Sequence, residues 1–446
     1  MIELALFCGK AEDITNKKML NALMGPLPSL ASFTVNAERL SKAFARLRPS
    51  YLVPLGLLLV LSACVPKIKP PMAIPEALVK LRPDEFPGFS DDLSYRSLKR
   101  AVDRSVNYLN RLPPATSFRF GADKYTASHL CASMKAFLEI ASQELCPTEL
   151  KNAIEGSFSV YRAVGRDGRG QVLFTGYYEP TLKGSLQPSP DYPYPVYRKP
   201  DDWVSVDLGR FNPDYKNQRI VGRYANQTVI PYFSREDIDS RERLLKKGWE
   251  LLWVSDEIDL FFLHIQGSGR VLLENGKVLH VNYDCSNGRP YRSIGRLLID
   301  EGSISSKDMS MQEIARHLRS RPRDIERVFN HNERYIFFKI VDQGPLGAIE
   351  VPLTPGRSVA TDGALFPKGA LAYIRTQKPS VDRQGTIGSW QTFGRFVLNQ
   401  DAGEAIKGPH RVDLFWGTGS AAESAAGHMM HQGTLYFLVL KGSDET

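Results

Sequence analysis

The sequence predicts a mainly β protein of barrels or sandwiches, with a few packing helices ahead of them. After residue 155, short alternating apolar runs recur at 157–164, 171–178, 249–254, 261–266, 270–273 and 335–339, separated by Gly, Pro and Asp. Strands at that spacing, with turn residues between them, build closed or stacked sheets. A helical interval over 291–301 and 310–320 interrupts the pattern, which returns at 371–375, 392–399, 412–416 and 434–441. A Gly/Ala-rich segment, 417–427, separates the last two runs. No repeat of fixed period is present, which excludes a solenoid.

The helices ahead of the strands follow from spacing. Over 92–112, Leu98, Val102, Val106 and Leu109 fall on one helical face, and Pro113-Pro114 stop the run. Over 125–145, Leu130, Met134, Phe137, Leu138 and Ala141 form a second stripe, which Pro147 ends. Both faces are suited to packing.

Composition narrows the function classes. The 446 residues are 24% charged and 42% hydrophobic, a globular mix long enough for two cores. The net charge is +8, and beyond Cys64 it rests on 50 Lys/Arg against 45 Asp/Glu. That mild excess suits an anionic partner or serves solubility. No basic run interleaved with aromatics is present, which argues against nucleic acid. The five cysteines form no C-x-x-C pair and the eight histidines no H-E-x-x-H, so neither a metal site nor a cofactor is indicated.

Residues 51–63 read YLVPLGLLLVLSA, preceded by Arg46 and Arg48. The run is too short to span a bilayer, which takes about 20 residues. Its layout is that of a secretory signal. Leu61-Ser62-Ala63-Cys64 resembles a bacterial lipobox, which implies acylation of Cys64. A buried helix with an ordinary Cys is the competing reading. The Pro-rich stretch 65–71 weighs against it, since it reads as an extended tether. Residues 1–40 resemble neither a signal nor a domain, as a start codon placed too early would produce. Export means an oxidising compartment, where Cys131 and Cys146 either pair or stay single thiols.

Three stretches hold candidate chemistry. In Phe174-Thr175-Gly176-Tyr177-Tyr178-Glu179-Pro180 a strand ends in two tyrosines, one of which can face a groove while the other packs inward. The run 261–270, FFLHIQGSGR, reads as an apolar strand entering a Gly-rich turn, where Gln266 and Ser268 can bond hydroxyls or acetamides. His264 within it is more simply a core histidine. The third stretch, 399–419, carries Asp401 at a strand end and Asp413 inside the next strand. There Val412, Leu414 and Trp416 share one face, Asp413 and Phe415 the other. An acid in apolar company loses solvation of its charge, which raises its pKa and suits it to donate a proton. A strand Asp bonded to a turn fits the residues equally well. Upstream, Asp362-Gly363 is by itself only a turn.

Together FTGYYEP (174–180), YPVYRKP (194–200), FFLHIQGSGR (261–270), YRSIGRLLID (291–300), VPLTPGRSVATD (351–362) and DAGEAIKGPHRVDLFWGTG (401–419) resemble the membrane-bound lytic transglycosylase A family, with its three-aspartate domain. The resemblance covers nearly all of 155–420. It implies a double-psi β-barrel interrupted by a second all-β, barrel-like domain. The expected division is a signal region 1–63, a lipid-anchored tether 64–90, a catalytic barrel 91–180 plus 341–446, and an insertion 181–340. A glycan groove would lie between the two domains.

The resemblance also implies an activity. Family enzymes cut the β-1,4 bond between N-acetylmuramic acid and N-acetylglucosamine without water, because the muramyl C6 hydroxyl attacks and leaves a 1,6-anhydro end. By motif position Asp413 is then the catalytic acid and base, with Asp401 and Asp362 in supporting roles. Thr175, Gly176, Tyr177, Tyr178, Gln266, Gly267, Ser268, Lys407 and Gly408 fall where the family lines its groove. The turn after the first loop aspartate departs from the family's Asp-Gly-Gly form and reads Asp401-Ala402-Gly403-Glu404. The implied partners are peptidoglycan strands, a membrane reached through the lipid anchor, and other cell-wall enzymes. The implied location is the outer membrane, facing the periplasm, because Val65 and not Asp follows Cys64. The competing readings are a muramidase-type hydrolase and a non-catalytic wall-binding lipoprotein. An aspartic protease is disfavoured, since Asp401-Ala402-Gly403 lacks the usual hydroxyl and has no second copy.

Overall fold

The computed structural model describes residues 77–143, 145–306, 309–382 and 386–442. Within them six strands close into a barrel. Around it they run Met430–Leu440, Leu371–Val381, Ile387–Asp401, Ser358–Ala360, Arg411–Thr418 and Val172–Glu179, and the last pairs back with the first. Ser358–Ala360 runs parallel to Ile387–Asp401, and Arg411–Thr418 parallel to Val172–Glu179. The other pairings are antiparallel. Closure gives every barrel strand a partner on both sides and leaves no edge strand among the six. Phe158–Ala163 and then Leu78–Lys80 extend the sheet outward from Met430–Leu440.

One apolar core joins the barrel to the helices Leu98–Asn110 and Ala127–Ala141. Val102, Phe137, Phe174, Phe396, Val412 and Leu414 are all buried in it. Each such side chain contributes roughly 1.5–3 kcal/mol. Two buried ion pairs tie the segment before the first helix to the barrel. Arg357 meets Asp91 at 2.5 and 2.8 Å, and Arg395 meets Asp92 at 2.7 and 2.8 Å.

The first helix begins at Leu98, six residues later than the spacing predicts from 92. Asp91 explains the delay: its carboxylate accepts from the Leu93 and Tyr95 backbone and holds that stretch in a turn. The second helix starts behind Thr126, whose hydroxyl accepts from the His129 N–H. Pro147 does not simply end a helix. It opens another, Pro147–Ser157, at a position where its missing N–H costs nothing.

The insertion leaves the barrel at Pro180, where Val172–Glu179 ends and Thr181–Ser185 begins. Its main sheet runs Ile336–Val341, Val278–Ser286, Ser268–Leu273, Thr181–Ser185, Glu250–Val254 and Tyr194–Tyr197. A bridge between Arg198 and Phe338 brings its two ends together, so this sheet is barrel-like as well. Trp203–Asp207, Arg219–Ala225 and Thr228–Pro231 form a small separate sheet.

Phe261–Gln266 is not a strand. It belongs to the helix Glu257–Gln266, whose first N–H groups are capped by the Asp256 carboxylate and whose end is Gly267 at φ 78°. The run is buried on nearly every side, so no alternation marks it as helix or strand. Helices Ile294–Asp300 and Met311–Ser320 occupy the expected interval, and Pro322–His331 joins them. The Gly/Ala-rich segment folds as helix Ser420–His428, whose Ala422 and Ala426 share a core with the insertion helices. Cys131 is a buried free thiol and Cys146 an exposed one, so the two do not pair.

Candidate active site

The parallel pairing of Arg411–Thr418 with Val172–Glu179 places Asp413 directly beside Thr175, and Ala360 flanks Asp413 on its other side. Asp413 is only 5% exposed. The Thr175 hydroxyl donates to Asp413 Oδ1, and Arg411 Nη2 donates to Thr175 Oγ1 at 3.2 Å. Burial pushes the Asp413 carboxyl up to about 6. The Arg411 guanidinium pulls it down, and the Asp401 charge adds to the rise. Asp413 opens onto a recess of about 60 Å³ that it shares with Tyr177, Ile265, Gln266, Ala360 and Asp401.

The recess adjoins a cleft of about 450 Å³ between the barrel and the insertion. Gln266, Gly267, Ser268 and Asn282 line it from the insertion, and Tyr177, Asp401 and Lys407 from the barrel side. Arg334 of the insertion approaches Glu404 of the loop after Asp401 to 3.6 Å.

Asp401 stands at the end of its strand, where cleft and recess meet. Tyr177 Oη donates to its Oδ2 at 2.7 Å, and the N–H groups of Ala348 and Ala402 donate to Oδ1 at 2.9 and 2.8 Å. Burial still holds its carboxyl above the usual range. Asp362 faces neither cavity. It accepts from the Gly408 N–H at 2.9 Å and the Ala364 N–H at 3.0 Å, and so fixes the loop between Asp401 and Asp413. Gly408 takes φ 80°, which a side chain would resist.

The two tyrosines diverge, as adjacent strand residues must. Tyr177 turns to the cleft and packs against Phe415 at 5.2 Å between ring centroids. Tyr178 turns away into the helical core near Glu423, and its N–H donates to Gln266 Oε1 at 3.3 Å. Gly176 lies under Trp416, where a Cβ would strike the indole nitrogen. His264 borders the cleft with Arg235 Nη2 at 3.1 Å, and burial and that guanidinium keep its pKa well below the usual range.

Two site residues have no counterpart in the sequence reading. Lys368 donates to Thr361 O at 3.1 Å, Asn399 Oδ1 at 3.3 Å and the Asp401 carbonyl, and burial lowers it to about 8. Nothing in its local sequence marks it. Arg411 was legible, since strand alternation puts residues 411, 413 and 415 on one face. No group of three or more His, Cys, Asp or Glu among the described residues could hold a metal.

A six-stranded barrel, a second barrel-like sheet that follows Pro180, and a buried acid beside the cleft between them form an architecture with known counterparts. Residues 173–339 match the MltA specific insert domain, and residues 357–439 match the 3D domain. The chain is 30% identical over 297 residues to membrane-bound lytic murein transglycosylase A of Escherichia coli K12, a match covering 65% of this chain and 72% of that one. A membrane-bound lytic murein transglycosylase from Agrobacterium tumefaciens shares the structure with TM-score 0.66 at 29% identity, over 82% of this chain and 98% of its own. Escherichia coli MltA with bound chitohexaose shares the fold with TM-score 0.61 at 23% identity, over 82% of this chain and 96% of its own. This chain belongs to the membrane-bound lytic murein transglycosylase A family.

Proposed function

We propose that this chain is a lytic transglycosylase that cleaves peptidoglycan glycan strands non-hydrolytically between N-acetylmuramic acid and N-acetylglucosamine. One observation carries the reading: the Asp413 carboxyl, raised to about 6 by burial, faces a recess that it shares with Asp401 beside a cleft of about 450 Å³. A carboxyl of that strength keeps a usable fraction of its proton near neutral pH.

Asp413 gives that proton to the glycosidic oxygen as the bond to the muramyl anomeric carbon breaks. The carboxylate then takes the proton of the muramyl C6 hydroxyl while O6 bonds to the anomeric carbon, so the enzyme ends as it began. The nucleophile is already tethered to the reacting carbon, which makes the attack intramolecular and removes the need for a second carboxylate. Asp401 supplies negative charge beside Asp413, and Asp362 acts through the loop it fixes. Tyr177, Gln266, Gly267, Ser268 and Lys407 contact the glycan. Thr175 positions the acid, Gly176 admits Trp416, Tyr178 anchors Gln266, and Gly408 shapes the loop.

Mass spectrometry of digested sacculi tests the reading. Anhydromuramyl ends are expected. Reducing ends would reveal a muramidase, and no glycan product would reveal a binding module. We further propose that Cys64, which lies outside the described residues, anchors the chain to the outer membrane. No helix among the described residues is long and apolar enough to cross a membrane. Cys64→Ser should release the protein from membranes on fractionation, and its continued retention would refute the anchor.

A further inference from the structure

Three side chains on two adjacent strands form a directed chain of hydrogen bonds. Arg411 is 5% exposed and Thr175 1% exposed, so water does not compete for either. A guanidinium can only donate. Because Arg411 Nη2 donates to Thr175 Oγ1, the single hydroxyl hydrogen of Thr175 is committed to its other partner, Asp413 Oδ1. An oxygen that receives a hydrogen bond in this way is held as an acceptor. Among the described residues no hydrogen bond reaches Asp413 Oδ2, while the residue opens onto the recess.

The charged and titratable groups facing Asp413 are few. Arg411 lies two residues back on its own strand, Tyr177 on the neighbouring strand, and Asp401 at the end of the third. Ala360, its partner on the short strand, is apolar. His410 lies beyond Arg411, and Lys368 beyond Asp401. Arg411 is thus the cation closest in sequence and contact to the acid, and it reaches the acid through a hydroxyl.

We propose that Arg411 is a positioning residue of the reaction, which polarises Thr175 toward Asp413 Oδ1 and so leaves the transferable proton on Oδ2, facing the recess. This rests on the assignment of Asp413 as the acid. The glycosidic oxygen takes the proton from Oδ2, and Oδ2 receives the C6 hydroxyl proton in return. Oδ1 stays bonded to Thr175 throughout, so the carboxyl does not need to rotate between the two steps. The guanidinium also stabilises the carboxylate that exists between them.

The test uses the full-length protein, four variants of the relay, Arg411→Met, Arg411→Lys, Thr175→Val and Thr175→Ser, and Asp413→Asn as the assignment control. The readouts are kcat/KM against pH on purified sacculi and an NMR titration of the Asp413 carboxyl carbon, assigned by its loss in Asp413→Asn. Removing a cation or a donor that favours the carboxylate should raise the Asp413 pKa by about one unit in Arg411→Met and in Thr175→Val. The alkaline limb of the pH profile should move up with it, while the plateau falls at least about tenfold. Arg411→Lys and Thr175→Ser should keep the limb near its wild-type position. If the carbon titration stays put in both Arg411→Met and Thr175→Val, the relay is refuted, whatever happens to the rate. If Arg411→Met does not fold, Thr175→Val alone decides. A wild-type protein that releases no glycan would overturn the proposed function instead, and the carbon titration would still decide the relay.

Discussion

Replacing Asp413 by Asn should abolish turnover and at the same time stabilise the fold, by an amount that depends on pH. The amide has the shape of the carboxyl, and its oxygen can still accept from Thr175. In the unfolded chain the Asp413 carboxyl titrates near 3.8, and in the folded protein at about 6. A rise of about two units, at 1.36 kcal/mol each, makes the ionised carboxyl cost the fold about 3 kcal/mol. Below pH 3.8 the carboxyl is protonated in both states and the cost is absent. As the pH rises the unfolded chain ionises first, the folded state loses ground, and above about 6 the whole penalty applies. Asn carries no such charge. Urea unfolding of the two proteins should therefore give nearly equal stabilities at about pH 4 and a gap of about 3 kcal/mol in favour of Asp413→Asn at about pH 8. A gap that stays constant across that range would show that burial does not raise this acid, and the case for Asp413 as a proton donor would fall with it.

Asp91→Ala should destabilise the protein by about 3–5 kcal/mol in chemical denaturation, because it leaves the Arg357 guanidinium buried and uncompensated. A loss below about 1 kcal/mol would show that the pair contributes little. Gly176→Ala should cost about 1–3 kcal/mol and lower activity, since the new methyl must displace Trp416 from its place over the strand. Wild-type melting with full activity would contradict that packing. Lys368→Met should lower kcat by loosening the loop that carries Asp401 and Asp362. Because burial lowers Lys368 from 10.5 to about 8, the unfolded chain holds the proton more tightly, and wild-type stability should gain on Lys368→Met as the pH rises between those values. A parallel pH dependence of the two proteins would refute this.

Five of the six barrel strands are legible in the sequence as short apolar runs bounded by turn residues, whereas Ser358–Ala360, only three residues long, leaves no such run. Arg411–Thr418 shows this most clearly, with Val412 and Leu414 in the core cluster and Asp413 on the opposite face. The helix Glu257–Gln266 is misread because Ile258, Leu260, Phe261, Phe262 and Leu263 are all buried, which erases the periodicity. The signals that would have identified it are at its ends: Asp256 as the cap and Gly267 as the stop. Ser420–His428 carries too few large side chains to show a stripe, and its alanines matter for how closely it approaches the strands beneath. At the site, residue types and motif order point to Asp413, Asp401 and Tyr177. The hydrogen bonds of Lys368 come from segments brought together only by folding, at Thr361, Asn399 and Asp401, so local pattern holds no trace of them.

Pro180 separates the barrel strand Val172–Glu179 from the insertion strand Thr181–Ser185 with no intervening loop, and its carbonyl accepts from the Arg270 N–H at 2.8 Å. One nearly continuous ribbon therefore serves both walls of the cleft, like the spine of a partly opened book. A loop at that point would let the walls swing independently, and each turnover would have to recover their spacing before the acid met the bond. With a ribbon there, the gap is a property of backbone geometry.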